Sequence, residues 1–188
     1  MSTLVACLDD ALCAFDATHP PRPTLWFGHS SGARVAFELA RRRHAAGRPL
    51  PGHLVVSGAP APDIVRTTPT LHRIADDVTF LRAVADAYGG VPADVLAHEE
   101  LRALVTPTLR ADLRLHERYV YVDAPPLPIP LLAVGGESDP AVPDVWLQQW
   151  ARHTTGGFRC ERYPGHHFYL HDPVVRSALL RTLRAIRM

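Results

Sequence analysis

The sequence predicts an α/β fold: a mostly parallel sheet flanked by helices, with a helical segment inserted between strands. Three observations carry the prediction. Short apolar runs at 25–27, 53–57 and 131–134, and a fourth strand run at 158–163, alternate with stretches of helical periodicity, the order a parallel sheet with crossover helices requires. The first run enters Gly28-His29-Ser30-Ser31-Gly32 and then a helix. The loops after the third and fourth runs hold Asp139 and His166-His167, where open parallel sheets gather functional groups.

The elements follow in order. Leu4, Val5, Leu8, Leu12 and Phe15 recur at helical spacing and predict a helix over 3–16, ended by His19, Pro20, Pro21 and Pro23. Leu25-Trp26-Phe27 has high strand propensity. After the G-x-S-x-G turn, Val35, Leu39 and Ala40 share one helical face, and Gly47 marks the stop. His53–Ser57 reads as a second buried strand. From 59 to 128 the strand signal fades and short helical patterns take over. Val78, Leu81, Val84 and Tyr88 mark one; Val95 and Leu96 a second; Leu101, Leu104 and Val105 a third; Leu109, Leu113, His116 and Tyr119 a fourth. The insert reads as a lid over the site, with helices simply packed on the sheet as the alternative. Prolines at 125, 126, 128 and 130 lead into the third strand. Trp146, Leu147 and Trp150 mark the next helix, Phe158–Tyr163 the fourth strand, and Val174, Val175, Leu179, Leu180 and Leu183 the last helix. The expected organisation is one domain over 1–188, with a core at 1–58 and 129–188 and a lid at about 59–128.

Composition narrows the function classes. Hydrophobic content of 47% fits a globular chain, and a net charge of +1 gives no electrostatic case for nucleic acid or membrane binding. All 20 basic residues are Arg. Cys7, Cys13 and Cys160 have no metal-ligand spacing and are read as free, reduced thiols. The first 18 residues carry Asp9 and Asp10 without a basic start, which argues against a signal peptide, and no apolar run is long enough for a membrane span. A soluble, cytoplasmic chain is expected.

The chemistry centres on Ser30. In a strand–turn–helix, flanking glycines let strand and helix approach closely while the central Ser presents its hydroxyl above the sheet. A serine nucleophile needs a base, and the base needs an orienting carboxylate. Asp139, fixed before Pro140, is preferred over Glu137. Among the 11 histidines, His166 and His167 alone follow the fourth strand in a Gly-containing loop. His29 is read as packing within the turn, because neighbouring side chains diverge there. With His171, the pair at 166 and 167 lacks the companions of a metal site, so no metal is expected.

The order of Ser, Asp and His with these flanks resembles the α/β-hydrolase superfamily. Within it, the chain is similar to the type II thioesterases of polyketide and nonribosomal peptide synthesis, including antibiotic biosynthesis. The matching stretches are LWFGHSSGARVAFELARR, VVSGAPAP, LRADLRLHERYVY, PLLAVGGESDPAV and YPGHHFYL. The resemblance implies catalytic Ser30, Asp139 and His167, with His166 standing where the family has a glycine. Ser31, where the family commonly has Met, would give its backbone N–H to the oxyanion hole. The implied reaction removes acyl groups from the phosphopantetheine arm of an acyl or peptidyl carrier protein, without metal or dissociable cofactor. A carboxylesterase or lipase, or an inactive remnant that only binds a partner, are the alternatives. The family also has strands ahead of the first helix, and a Gly-rich loop giving a second oxyanion donor. Neither has a counterpart here, so the Ser30 strand is expected at an unpaired apolar edge. A start site placed too far downstream, a truncation, or an edge completed by another chain would each account for that.

Overall fold

The computed structural model describes residues 1–20, 22–64 and 70–186. Strands β1 (Leu25–His29), β2 (His53–Ser57), β3 (Leu131–Gly136) and β4 (Phe158–Tyr163) form one parallel sheet in that spatial order. Among the described residues seven α-helices accompany it: α1 (Ser2–Thr18), α2 (Ser31–Ala45), α3 (Asp77–Tyr88), α4 (Ala93–Ala97), α5 (Glu99–Glu117), α6 (Asp144–Gln148) and α7 (Pro173–Ala185). Of the prolines expected to end α1, Pro21 lies outside the described residues, as does the part of the insert at 65–69.

Side chains alternate across the sheet and so divide its core in two. Leu54 and Val56 of β2, with Leu131 and Ala133 of β3, meet Ala33, Phe37 and Ala40 of α2 and the buried Trp150. Val55, Leu132 and Val134 face the other way, onto Val175 and Leu179 of α7. Burial on both faces explains why β2 and β3 read as continuous apolar runs. Trp150 donates its indole N–H to the Ala59 carbonyl at 2.9 Å, so its polar edge is satisfied inside the core. It sits in a 3₁₀ turn at Gln149–His153 that continues α6, where one longer helix was expected.

At the sheet's open side, β1 has no strand on its outer edge among the described residues, and Phe27 is 39% exposed. The apolar edge expected from the sequence is therefore present. Behind β1, α1 and α2 are joined by a charged cluster. Asp9 is fully buried and accepts from Arg42 at 2.8 Å, Arg43 at 3.3 Å and Arg48. Arg43, itself 2% exposed, also binds Asp16 and the Pro49 carbonyl. Burial alone would raise the Asp9 carboxyl, but the hydrogen bonds and charges of Arg42 and Arg48 outweigh it and hold it below the usual carboxylate range.

Between β2 and β3 the chain carries α3, α4 and α5, and these helices have a core of their own. Phe80, Leu81 and Val84 of α3 pack with Leu71, Val95 and Leu113. One difference from the sequence reading stands out. The two apolar patterns at 101–105 and 109–119 belong to a single helix, α5, which runs through Pro107. Proline removes one intrahelical bond and clashes with the preceding turn. Here Val105, Leu109 and Leu113 bind both halves to the same cluster, which holds the helix together across it. Leu104 is 74% exposed and belongs to no core, and Tyr119 lies just past the helix end. Among the described residues, no helix is long and apolar enough to cross a membrane, and the three cysteines carry no disulfide.

Candidate active site

Ser30 sits between β1 and α2 with φ 54° and ψ −119°, and among the described residues it alone has a positive φ without being glycine. Such a conformation costs about 1–3 kcal/mol and persists only where the surroundings enforce it. Two features enforce it. The Ser30 N–H donates to the Ser57 carbonyl at 2.7 Å, which ties the turn to β2. A Cβ on Gly28 would lie 2.2 Å from the Gly32 carbonyl oxygen, so only glycine lets β1 and α2 come this close.

The other two expected residues arrive from the carboxyl ends of β3 and β4. Asp139 is 4% exposed; its Oδ1 accepts from the Ala141 N–H at 2.9 Å and its Oδ2 from His167 Nδ1 at 2.8 Å. His167 is 2% exposed, and its Nε2 lies 3.0 Å from Ser30 Oγ. A carboxylate only accepts, so Nδ1 carries the proton and Nε2 is left to accept from the Ser30 hydroxyl. The rivals are elsewhere: Glu137 is exposed, and His166 turns its Nδ1 onto the Ser138 carbonyl at 2.8 Å. Ser31 opens α2, so its N–H belongs to the first turn, where no helical carbonyl is available to accept it.

Around this line lie residues to which the sequence reading gave no chemical role. His29 Nδ1 is 2.7 Å from Ser57 Oγ, which is in turn 2.6 Å from the Tyr169 hydroxyl. The His29 ring centre is 5.1 Å from that of His167. Burial, reinforced by the neighbouring His167, lowers the His29 pKa to about 4, so it is neutral at pH 7. Tyr88, at the end of α3, places its ring 5.2 Å from His167, and Phe168 stands edge-on at 5.1 Å. Phe168 and Tyr169 lay in a stretch the sequence reading quoted, without a role; Tyr88 gave no signal beyond helical spacing.

Two cavities meet at Tyr88. One of about 550 Å³ lies between the end of α3, the histidine loop and α7. The other, of about 460 Å³, is lined by Arg34, His116, Glu117, Tyr119 and Tyr121. Arg34, 4% exposed and one turn along α2 from Ser30, donates to the His116 carbonyl at 3.3 Å with Tyr119 stacked at 5.1 Å. Among the described residues, no group of three or more His, Cys, Asp or Glu side chains is arranged to hold a metal ion.

A parallel sheet with helices on both faces, carrying a strained serine at a strand–turn–helix, defines an α/β-hydrolase-type protein. Within that class the chain belongs to the thioesterase domain family, whose family model matches residues 2–186. It is 39% identical over 150 residues to the thioesterase PikA5 of Streptomyces venezuelae, covering 78% of this chain and 51% of that protein. Its structure resembles the RedJ thioesterase of the prodiginine pathway in Streptomyces coelicolor, with a TM-score of 0.86 and 35% identity over 97% of this chain and 70% of that one. It also resembles the type II thioesterase BorB of the borrelidin cluster, with a TM-score of 0.80 and 36% identity over 97% of this chain and 71% of that one. The chain spans about half the length of the curated relatives it matches, from 50% to 59% in the first four.

Proposed function

We propose that this chain hydrolyses acyl thioesters carried on the phosphopantetheine arm of an acyl or peptidyl carrier protein, in the editing role of type II thioesterases. The observation that carries the reading is the hydrogen-bonded line from Asp139 through His167 to Ser30, at a strained turn. In this reading His167 Nε2 takes the Ser30 proton as Oγ attacks the thioester carbonyl. The developing oxyanion accepts from the Ser31 N–H at the head of α2. Collapse breaks the carbon–sulfur bond, and the imidazolium, steadied by Asp139, returns its proton to the departing thiol. Water then enters, gives a proton to His167 and attacks the acyl-enzyme; a second collapse frees the carboxylic acid and restores Ser30. No metal or dissociable cofactor is required.

The helical segment at about 59–128 acts here as a lid on the core at 1–58 and 129–188, with Tyr88 as its contact to the base. The working compartment is the cytoplasm, where carrier proteins are loaded. The test is acyl release from an acylated carrier protein by this chain, beside Ser30→Ala. Release that vanishes in the variant supports the reading. A folded chain that releases nothing, or one that prefers a free ester to the carrier thioester, refutes it.

A further inference from the structure

Ser30 and His167 reach each other from opposite edges of the described sheet, one at the end of β1 and the other in the loop after β4. The base loop is tied to the residues that follow β3. Ser138 N–H donates to the Gly165 carbonyl at 2.9 Å, His166 Nδ1 donates to the Ser138 carbonyl, and Asp139 accepts from His167. The nucleophile turn is tied instead to β2, through the Ser30 N–H and the Ser57 carbonyl at 2.7 Å. These two sets of bonds share no residue, so by themselves they leave the 3.0 Å separation of Ser30 Oγ and His167 Nε2 free to widen.

The Ser57 hydroxyl joins them. Ser57 ends β2, is fully buried, and shares with Val55 the face that packs towards Tyr169 and α7. Its Oγ is 2.6 Å from the hydroxyl of Tyr169, two residues beyond the base, and 2.7 Å from Nδ1 of His29, the residue before the nucleophile. A hydroxyl has one proton, so it donates to one of these groups and accepts from the other. An alanine would fill the same buried position without a polar group to satisfy; the bridge is what serine adds. Packing does not replace it. Gly58 passes close to both rings, and a Cβ there would lie 2.7 Å from His29 Cε1 and 3.5 Å from His167 Cε1. Such contacts resist approach strongly and separation weakly, whereas a hydrogen bond holds both distance and direction. We propose that Ser57 is a positioning residue for acyl transfer, its carbonyl and hydroxyl together holding Ser30 Oγ and His167 Nε2 at reacting distance. The inference rests on the roles given to Ser30 and His167 above.

The experiment compares the chain with Ser57→Ala, Tyr169→Phe and the double variant. Tyr163→Phe is the control: Tyr163 stacks on Tyr169 at 6.0 Å but bonds its hydroxyl to Glu161 and Thr182. Each protein is assayed for kcat and KM on a small acyl thioester, and for the rate at which a fluorophosphonate labels Ser30, well below the melting temperature of every variant. A 1 Å misplacement of reacting groups can cost about 100-fold, so each single variant should lose about ten- to 100-fold in kcat and in labelling, with KM unchanged. The double variant should lose no more than a single one, because both substitutions break the same bridge. Tyr163→Phe should match the parent. Single variants that melt lower yet keep parent kcat and labelling give Ser57 a purely structural role and overturn the inference. So do losses that multiply in the double variant, or a control that falls as far as Tyr169→Phe. Should Ser57→Ala fail to fold, Tyr169→Phe decides alone, since it keeps the ring and removes only the hydroxyl. A parent chain that is neither labelled at Ser30 nor active on the thioester refutes the proposed function itself, a result distinct from every variant outcome.

Discussion

Replacing Asp139 by Asn tests the hydrogen-bonded line at its most sensitive point. The side chain is buried, and Asn matches its volume, so the substitution changes the charge and the pattern of donors and little else. The Ala141 N–H, at 2.9 Å, requires an acceptor, which the amide oxygen supplies. The amide NH₂ then faces His167 Nδ1, where the carboxylate accepted at 2.8 Å. Two donors cannot meet there, so the imidazole must move its proton to Nε2, 3.0 Å from Ser30 Oγ. In that tautomer it donates to Ser30 and no longer accepts from it, and the later imidazolium has lost its counter-charge. Triads of this geometry lose about 10⁴-fold in turnover on such a change, equivalent to about 5 kcal/mol of transition-state stabilisation. The assay is single-turnover acyl release from a small thioester at pH 7.5, with thermal melting to verify that the fold is kept. Glu137→Gln, at an exposed neighbour, serves as the control and should leave turnover unchanged. An Asp139→Asn protein that retains more than about a tenth of parent activity would refute this assignment of the orienting carboxylate.

Three further outcomes follow from the same geometry. His29 binds a proton at its ordinary pKa of 6.5 when unfolded but only near pH 4 when folded, so its contribution is complete above pH 6.5 and declines as pH falls. The loss amounts to about 2 kcal/mol by pH 5 and roughly 3 kcal/mol below pH 4; urea unfolding of His29→Gln at pH 7 and pH 5 should lack this part of the acid sensitivity. Gly28→Ala, whose new methyl would meet the Gly32 carbonyl oxygen at 2.2 Å, should cost about 1–3 kcal/mol or more and displace Ser30, read as a lower melting temperature together with lost turnover. Asp9→Asn removes the charge shared by Arg42, Arg43 and Arg48; with Arg43 2% exposed, a loss of about 3 kcal/mol in chemical denaturation is expected, and a value below 0.5 kcal/mol would contradict the buried-pair argument.

Strands were the most legible part of the chain. β2 and β4 occupy the residues expected, and β1 and β3 run two residues further; β2 and β3, buried on both faces, are written as apolar runs between Gly and Pro breaks. Helix continuity was less so. The patterns at 101–105 and 109–119 were read as two helices, and the shared packing of Val105, Leu109 and Leu113 holds α5 together across Pro107. Leu104 fitted the spacing of a buried face and is largely in solvent, since periodicity does not say what lies opposite. At the site, the residue types, their order and the strand ends were legible, and the structure brings Ser30, Asp139 and His167 together. Polar partnerships between distant segments were not. His29 with Ser57 and Tyr169, Tyr88 against His167, and Asp9 with its arginines depend on three-dimensional proximity and leave no local pattern.

The positive φ of Ser30 has a bearing on how this chain would drift over generations. Glycine enters that conformation without penalty, so Ser30→Gly is the exchange that pure selection for folding would reward, and it discards the hydroxyl in the same step. A lineage freed from acyl chemistry therefore has a downhill route at this codon. Serine there is a fold kept slightly below its own optimum for the sake of one oxygen.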